Sequence, residues 1–355
     1  MLQWADNFSF YGSGATGAEN MLDGLPYAFI VPSNDNQLPL DPDGVSSGRV
    51  LVVSATNNNS NLTDSRMAIP TPQKAIGCGA RFYRTTLPST TGVRPSIIGF
   101  RTTANARMYD LVVEPNGALS VYDFGSNLIA TTTVPIFTTN TWQHIELFID
   151  SETGDIEVRR EGVPVLTATE AVPQNTLIGI IGWTNRQSMT SNTSIQLYMK
   201  GLVVWDTTGT YNNDFMGTVN VVGCPVATDD SNSGWAASTG SSIAGVLDED
   251  VPNDADYASA AAAAAVVEMS MADVPSDVTS VRGVITVFRG LKTDGGDAKV
   301  QVSLKSVAAY DAGADHAITP SATYWWDVSE EDPNTTSPWT PGTFNDALMK
   351  IERTL

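Results

Sequence analysis

"NTWQHIELFIDSETGDIEVRREGVPVL", residues 140–166, sets a histidine and a run of carboxylates beside a tryptophan, a combination that suits either an acidic active site or a charged face of β-sheet. Strand periodicity separates the two. If residues 142–150 and 155–160 form a hairpin around Ser151, Glu152, Thr153 and Gly154, then Ile149 faces Ile156 and Leu147 faces Val158, one apolar face. The same register sets Phe148 opposite Glu157 and Glu146 opposite Arg159, so Glu146 gains an ion-pair partner on a solvated face. Glu161 and Gly162 supply a tight turn into "VPVLTAT", completing a three-stranded meander. The enzymatic alternative needs two carboxylates about 5–9 Å apart across a sugar ring, and Glu146 with Asp150 or Glu157 are the candidates.

Similar runs recur along the chain. "GRVLVVSA", "ARFYRT", "PSIIGFR", "MYDLVVEP", "LSVYDF", "LIGIIGW" and "SIQLYMKGLVVWD" are rich in β-branched and aromatic residues, with turn signals such as "EPNGAL" between them. The expected class is all-β, with antiparallel sheets packed as a sandwich. In the second half "TVNVVGCPV", "VRGVITVFRGLKT" and "AKVQVSLKSVAAY" read as strands separated by acidic loops, and "SAAAAAAVVEMSM" as a short helix or coil followed by a strand. "TPGTFNDALMKIERTL" places Phe344, Leu348 and Ile351 at helical spacing and predicts a short C-terminal helix.

With 355 residues, two domains are expected. Charge divides the same way: residues 206–355 carry 22 acidic and 7 basic side chains, leaving 17 and 12 for residues 1–205. The expected domains are 1–207 and 208–355, the second smaller, acidic and β-rich. A net charge of −20 opposes binding to DNA, RNA or an anionic membrane, so no nucleic-acid partner is expected. "MLQWADNFSFYGSG" has neither the cationic start nor the apolar run of a secretion signal, and no stretch approaches the roughly 18 apolar residues a bilayer requires. Cytoplasmic synthesis without membrane insertion is the expectation. Cys78 and Cys224 then read as small core residues rather than a disulfide, and the sequon at Asn61 has no meaning without a secretory route.

Other chemistry is sparse. His144 and His316 are the only histidines, too few for a His-rich metal site; His144 reads as exposed on its strand and His316 as loop. Asp248, Asp250, Asp254 and Asp256 are spaced closely enough to suggest calcium, but lack the glycine and terminal glutamate of an EF-hand loop, and a solvated acidic loop is the simpler reading. Trp183, before the polar loop "TNRQSMTSNTS", and the adjacent Trp325 and Trp326 are candidates for sugar stacking or for core packing; on a strand one of the last pair is buried and the other at a surface. No catalytic, cofactor-binding or metal residue is assigned, and no cofactor is expected.

"ADNFSFYG", the 140–166 meander and "IQLYMKGLVVWDT" resemble the concanavalin A-like, laminin G-like jelly-roll family over residues 1–207. That resemblance implies a β-sandwich with the aromatic at the head of the first meander strand packed inside. Members include lectins, adhesion modules and glycoside hydrolases; the hydrolases carry an E-x-D-x-E strand motif that this sequence lacks. "DFMGTVNVVGCPVATDDSNSGW", "VLDEDVPNDADY", "VRGVITVFRGLKTDGGDAKVQV" and "DPNTTSPWTPGTFNDALMKIER" are similar to the C-terminal region of tailed-bacteriophage virion structural proteins. The resemblance implies a non-enzymatic subunit of a phage particle, associated with capsid or tail, whose partners are other virion proteins and copies of itself. The alternative it leaves open is a carbohydrate-binding, host-recognition protein of the virion, using loops at one end of the jelly roll; a glycoside hydrolase or lyase is the third reading. Absence of heptads or collagen triplets favours a decoration, collar or baseplate subunit over a long fibre.

Overall fold

The computed structural model describes residues 1–8, 27–29, 36–37, 51–55, 64–87, 95–185, 195–249 and 253–355. The chain forms two compact units that divide between Val221 and Val222. Residues 208–221, expected in the second domain, therefore belong to the first.

The strands of the first unit are β1 (Leu2–Asp6), β2 (Tyr27–Phe29), β3 (Asn36–Gln37), β4 (Leu51–Ala55), β5 (Asp64–Gln73), β6 (Ala75–Tyr83), β7 (Pro95–Thr102) and β8 (Arg107–Val113). They continue with β9 (Leu119–Asp123), β10 (Leu128–Thr131), β11 (Gln143–Asp150), β12 (Asp155–Arg160), β13 (Val163–Thr169), β14 (Ile178–Asn185) and β15 (Ile195–Asp206). An eight-stranded sheet runs β13-β12-β11-β6-β15-β4-β3 with β1 also on β15, and a seven-stranded sheet runs β10-β9-β8-β7-β14-β5-β2. The result is an all-β, jelly-roll-type sandwich, and the 140–166 meander forms one flank of its larger sheet.

The expected register of that meander is the observed one. Glu146 pairs with Arg159, Leu147 with Val158, Phe148 with Glu157 and Ile149 with Ile156. The turn from β12 to β13 is the two-residue loop Glu161-Gly162, both at positive φ (49° and 78°), which matches the right-handed twist of the hairpin. The inner face of the sheet carries Ile76, Cys78, Ala80 and Phe82 from β6 beside Ile145, Leu147 and Ile149 from β11, all fully buried. Burial accordingly pushes the Cys78 thiol up, as suits a core residue; Cys78 and Cys224 are both free.

In the second unit the strands are β16 (Val226–Ser233), β17 (Trp235–Ala237), β18 (Ala258–Ala260), β19 (Ala265–Met271), β20 (Val284–Gly290) and β21 (Lys299–Ser306). After them come β22 (Ala309–Ala317), β23 (Thr323–Ser329), β24 (Glu331–Asp332), β25 (Ser337–Pro338), the short helix α1 (Pro341–Asn345) and β26 (Leu348–Arg353). A five-stranded sheet, β16-β19-β26-β21-β22, is accompanied by the two-stranded pairs β17-β18, β20-β23 and β24-β25.

Three local expectations are corrected here. The C-terminal helix ends at Asn345, and Leu348 and Ile351 lie instead on β26, hydrogen-bonded to β19 on one side and β21 on the other. Two ladders and the packing of Met349 and Ile351 against Val267 and Met269 outweigh a helical spacing that three residues suffice to imitate. The run expected as a strand at "TVNVVGCPV" is extended coil up to Pro225, while the polar "VATDDSNS" forms β16 by pairing with β19. His316, expected in a loop, sits on β22 opposite Val300.

Candidate functional site

Alternation along β6, β11 and β15 directs a second set of side chains to the outer face of the larger sheet. Register places Tyr83 beside Tyr198, Arg81 beside both Lys200 and His144, Gly79 beside Val203 and Glu146, and Gly77 beside Trp205 and Phe148. Glycine at 77 and 79 lets large neighbours lie flat on the sheet. A methyl group at 77 would overlap the Trp205 indole, and one at 79 would lie 2.8 Å from Glu146 Cγ and 3.4 Å from the His144 ring.

Part of this face is covered by residues 207–219, which turn back across it as a strap. Asp206, fully buried, anchors the start by accepting from Thr208 N at 2.8 Å and Thr208 Oγ1 at 2.6 Å. Phe215 packs on Trp205 (5.7 Å between rings) and Phe148 (6.1 Å), with the Arg159 guanidinium 3.8 Å over its ring. Glu146 Oε1 accepts the amides of Met216 at 2.9 Å and Gly217 at 3.0 Å. Glu161 Oε1 accepts from His144 N at 2.8 Å and its Oε2 from Thr218 Oγ1 at 3.1 Å, tying the meander's turn to the strap.

Burial overturns the solvated-face expectation for two residues. Glu146 and His144 are both fully buried. Arg159 is register partner to Glu146, but its Nε donates to Glu157 at 2.6 Å. Burial raises the Glu146 carboxyl to about 7, against the opposing effect of the Gly217 and Met216 amides and of Arg159. Burial lowers the His144 imidazole to about 4, opposed by Glu161 and assisted by Arg81. His144 is thus neutral at pH 7, with one ring N–H and one ring lone pair. Among the described residues neither His144 nitrogen, nor Glu146 Oε2, nor Arg81 Nε has a hydrogen-bond partner, although all four atoms are sealed from water.

Beyond the strap the face is half-exposed and aromatic. Trp142, at the head of β11, lies 5.4 Å from Tyr83, and Tyr83 lies 5.8 Å from Tyr198. Lys200 Nζ sits 4.2 Å from the centre of the Trp142 ring. The interior position implied for Trp142 is therefore not the one observed. On the opposite flank a shallow groove of about 530 Å³ is lined by Phe148, Asp155, Glu157, Thr167 and Thr169. Its carboxylates are engaged: Asp155 by the hydroxyls of Thr153 and Thr169, Glu157 by Arg159. Asp150, the other candidate for a carboxylate pair with Glu146, accepts the amides of Glu152 and Thr153 in the hairpin loop.

The remaining candidates are dispersed. Trp183 is fully buried, which makes it a core residue; the polar loop after it, residues 186–194, lies outside the described residues, as do Asn61 and Asp250. Trp325 and Trp326 are both half-buried rather than split between core and surface, with Trp325 stacked on Phe288 at 5.5 Å. His316 Nε2 contacts Asp327 Oδ2 at 3.0 Å. Of the acidic loop, Asp254 pairs with Arg289 and Asp256 accepts from Ser238 and Thr239 hydroxyls. Among the described residues no group of three or more His, Cys, Asp or Glu is arranged to hold a metal ion.

Arg81, Tyr83, Tyr198 and Lys200 were not singled out from the sequence, and Trp142 only as an interior aromatic. The signal was present as alternation: "RFY" and "LYMK" each interleave an outward pair with buried Phe82, Leu197 and Met199. What the sequence lacks is the adjacency of strands more than a hundred residues apart.

No protein-family model matches the chain, and no curated protein matches it. Among solved structures it is similar to a sialidase, at 13% identity and a TM-score of 0.41 over 57% of this chain and 18% of that one. It is similar also to alginate lyase Aly36B, at 13% identity and a TM-score of 0.38 over 56% of this chain and 95% of that one. A third is the carbohydrate binding module CBM66 from Bacillus subtilis, at 13% identity and a TM-score of 0.32 over 50% and 94%. The chain thus spans less than a fifth of the length of the sialidase. These likenesses concern the path of the chain, not its side chains.

Proposed function

We propose that the first unit binds carbohydrate on the outer face of its larger sheet, as a non-catalytic recognition surface of a tailed-phage particle. The single observation that carries the binding reading is the half-exposed cluster of Trp142, Tyr83 and Tyr198 flanked by Arg81 and Lys200. Aromatic rings present flat apolar surfaces for the C–H faces of a sugar while adjacent polar groups meet its hydroxyls. Binding is favoured over turnover because the carboxylate and imidazole of this face are sealed: the Glu146 carboxyl is capped by backbone amides and the His144 ring is buried. The particle location is supported by the sequence resemblance of residues 214–353 to virion structural proteins, which also implies contacts with other virion proteins and further copies of the chain.

A glycan array probed with the intact chain and with Trp142→Ala tests the reading. Binding that Trp142→Ala abolishes is the expected result. No glycan bound by the intact chain would leave a purely architectural subunit, and depolymerisation lost in Glu146→Gln would replace binding by a lyase or hydrolase.

A further inference from the structure

We propose that the ligand of this face is an acidic glycan whose carboxylate is received at Arg81 and Lys200; the proposal rests on the glycan-binding reading above. The two cations are register partners on neighbouring central strands, β6 and β15, and like charges directly opposite each other on a sheet repel. Arg81 is also opposite the buried, neutral His144 on β11, so no anionic side chain is its register partner on either neighbouring strand. Among the described residues Arg81 forms no ion pair, and its buried Nε has no acceptor. A half-buried guanidinium in that state is stabilised by an anion, and its planar fork matches a carboxylate.

The surroundings select against other occupants. Glu161, the exposed carboxylate that acts on His144, is already committed to the His144 amide and the Thr218 hydroxyl. Glu146 lies beneath the strap, bonded to Met216 and Gly217. A ring stacked on Trp142 or Tyr83 would bring its substituents to these two cations, since Lys200 lies directly over Trp142. With a net charge of −20, the chain repels polyanions at long range, so the recognition is short-range and sensitive to salt.

The test is calorimetric titration of the intact chain with short oligouronates and with the same oligosaccharides after carboxyl reduction. Expected is about tenfold or tighter preference for the acids at low salt, narrowing at high salt. In Lys200→Gln and Arg81→Gln the preference should fall to near unity, and in Arg81→Lys part of it should return. Trp142→Ala should weaken acid and neutral forms together. Equal affinity for the two forms, or a preference untouched by Lys200→Gln and Arg81→Gln, overturns the proposal while leaving glycan binding in place. Failure of every acidic and neutral glycan to bind overturns both.

Discussion

The carboxylate of Glu146 on β11 and the amide of Gly217, 71 residues later, meet at 3.0 Å and close the strap over the sandwich. Met216 N shares the same oxygen at 2.9 Å, so one side chain satisfies two backbone donors that the strap would otherwise bury unpaired. Removing it leaves those donors orphaned, each costing about 1–3 kcal/mol. Glu146→Ala is therefore expected to destabilise the first unit by about 2–4 kcal/mol in denaturant unfolding, well beyond the roughly 1 kcal/mol of an exposed cross-strand ion pair. Glu146→Gln keeps an acceptor and should lose less. A loss below about 1 kcal/mol for Glu146→Ala would show that the strap is held by Phe215 alone.

The pH dependence of Glu146 and His144 runs in opposite directions. Glu146, raised from 4.5 to about 7, contributes stability that is present below 4.5 and lost as pH rises through 7. His144, lowered from 6.5 to about 4, contributes stability that is present above 6.5 and lost as pH falls through 4. Each effect is on the order of a few kcal/mol. Relative to Glu146→Gln, the wild-type chain should lose stability between pH 4.5 and 7; relative to His144→Gln it should gain stability between pH 4 and 6.5. Unfolding curves of the three proteins that stay parallel across this range would refute both assignments.

Gly77 and Trp205 make a contact that tolerates no side chain. A Cβ at 77 would overlap the indole, which is fully buried and packed against the tilted ring of Phe215. Gly77→Ala is expected to cost about 3 kcal/mol or more, and Gly79→Ala about 1 kcal/mol, since the Glu146 methylene it meets can shift. Thermal unfolding of the two variants in parallel ranks them, and the reverse order would contradict the packing described.

In the second unit, β26 is the centre of its sheet. Proline at Ile351 would remove a ladder donor between β19 and β21 and should cost about 3 kcal/mol or more. Hydrogen exchange is the direct readout: amides of β19 and β21 should lose protection in Ile351→Pro while those of β11 keep theirs. Retained protection in β19 would mean that β26 is dispensable.

Much of the architecture was legible because strand signals are local. The alternation of Leu147 and Ile149, the Ser151–Gly154 loop and the Glu161-Gly162 turn together leave one sensible register, and that register is observed. The terminal segment was misread for the complementary reason. Phe344, Leu348 and Ile351 satisfy a helical spacing, and only the two flanking ladders of β26 decide for a strand.

The sequence by itself determined that the chain is all-β, where the meander turns, and which side chains of each strand share a face, because side-chain direction alternates with the backbone. Only the tertiary structure decided what covers each face. A segment some seventy residues downstream folds back over Glu146, and burial converts Glu146 and His144, two polar residues of apparent surface, into sealed, unevenly satisfied groups with displaced proton affinities. The same folding brings β6 and β15 side by side and so assembles Arg81, Tyr83, Tyr198 and Lys200, residues that no local pattern could join.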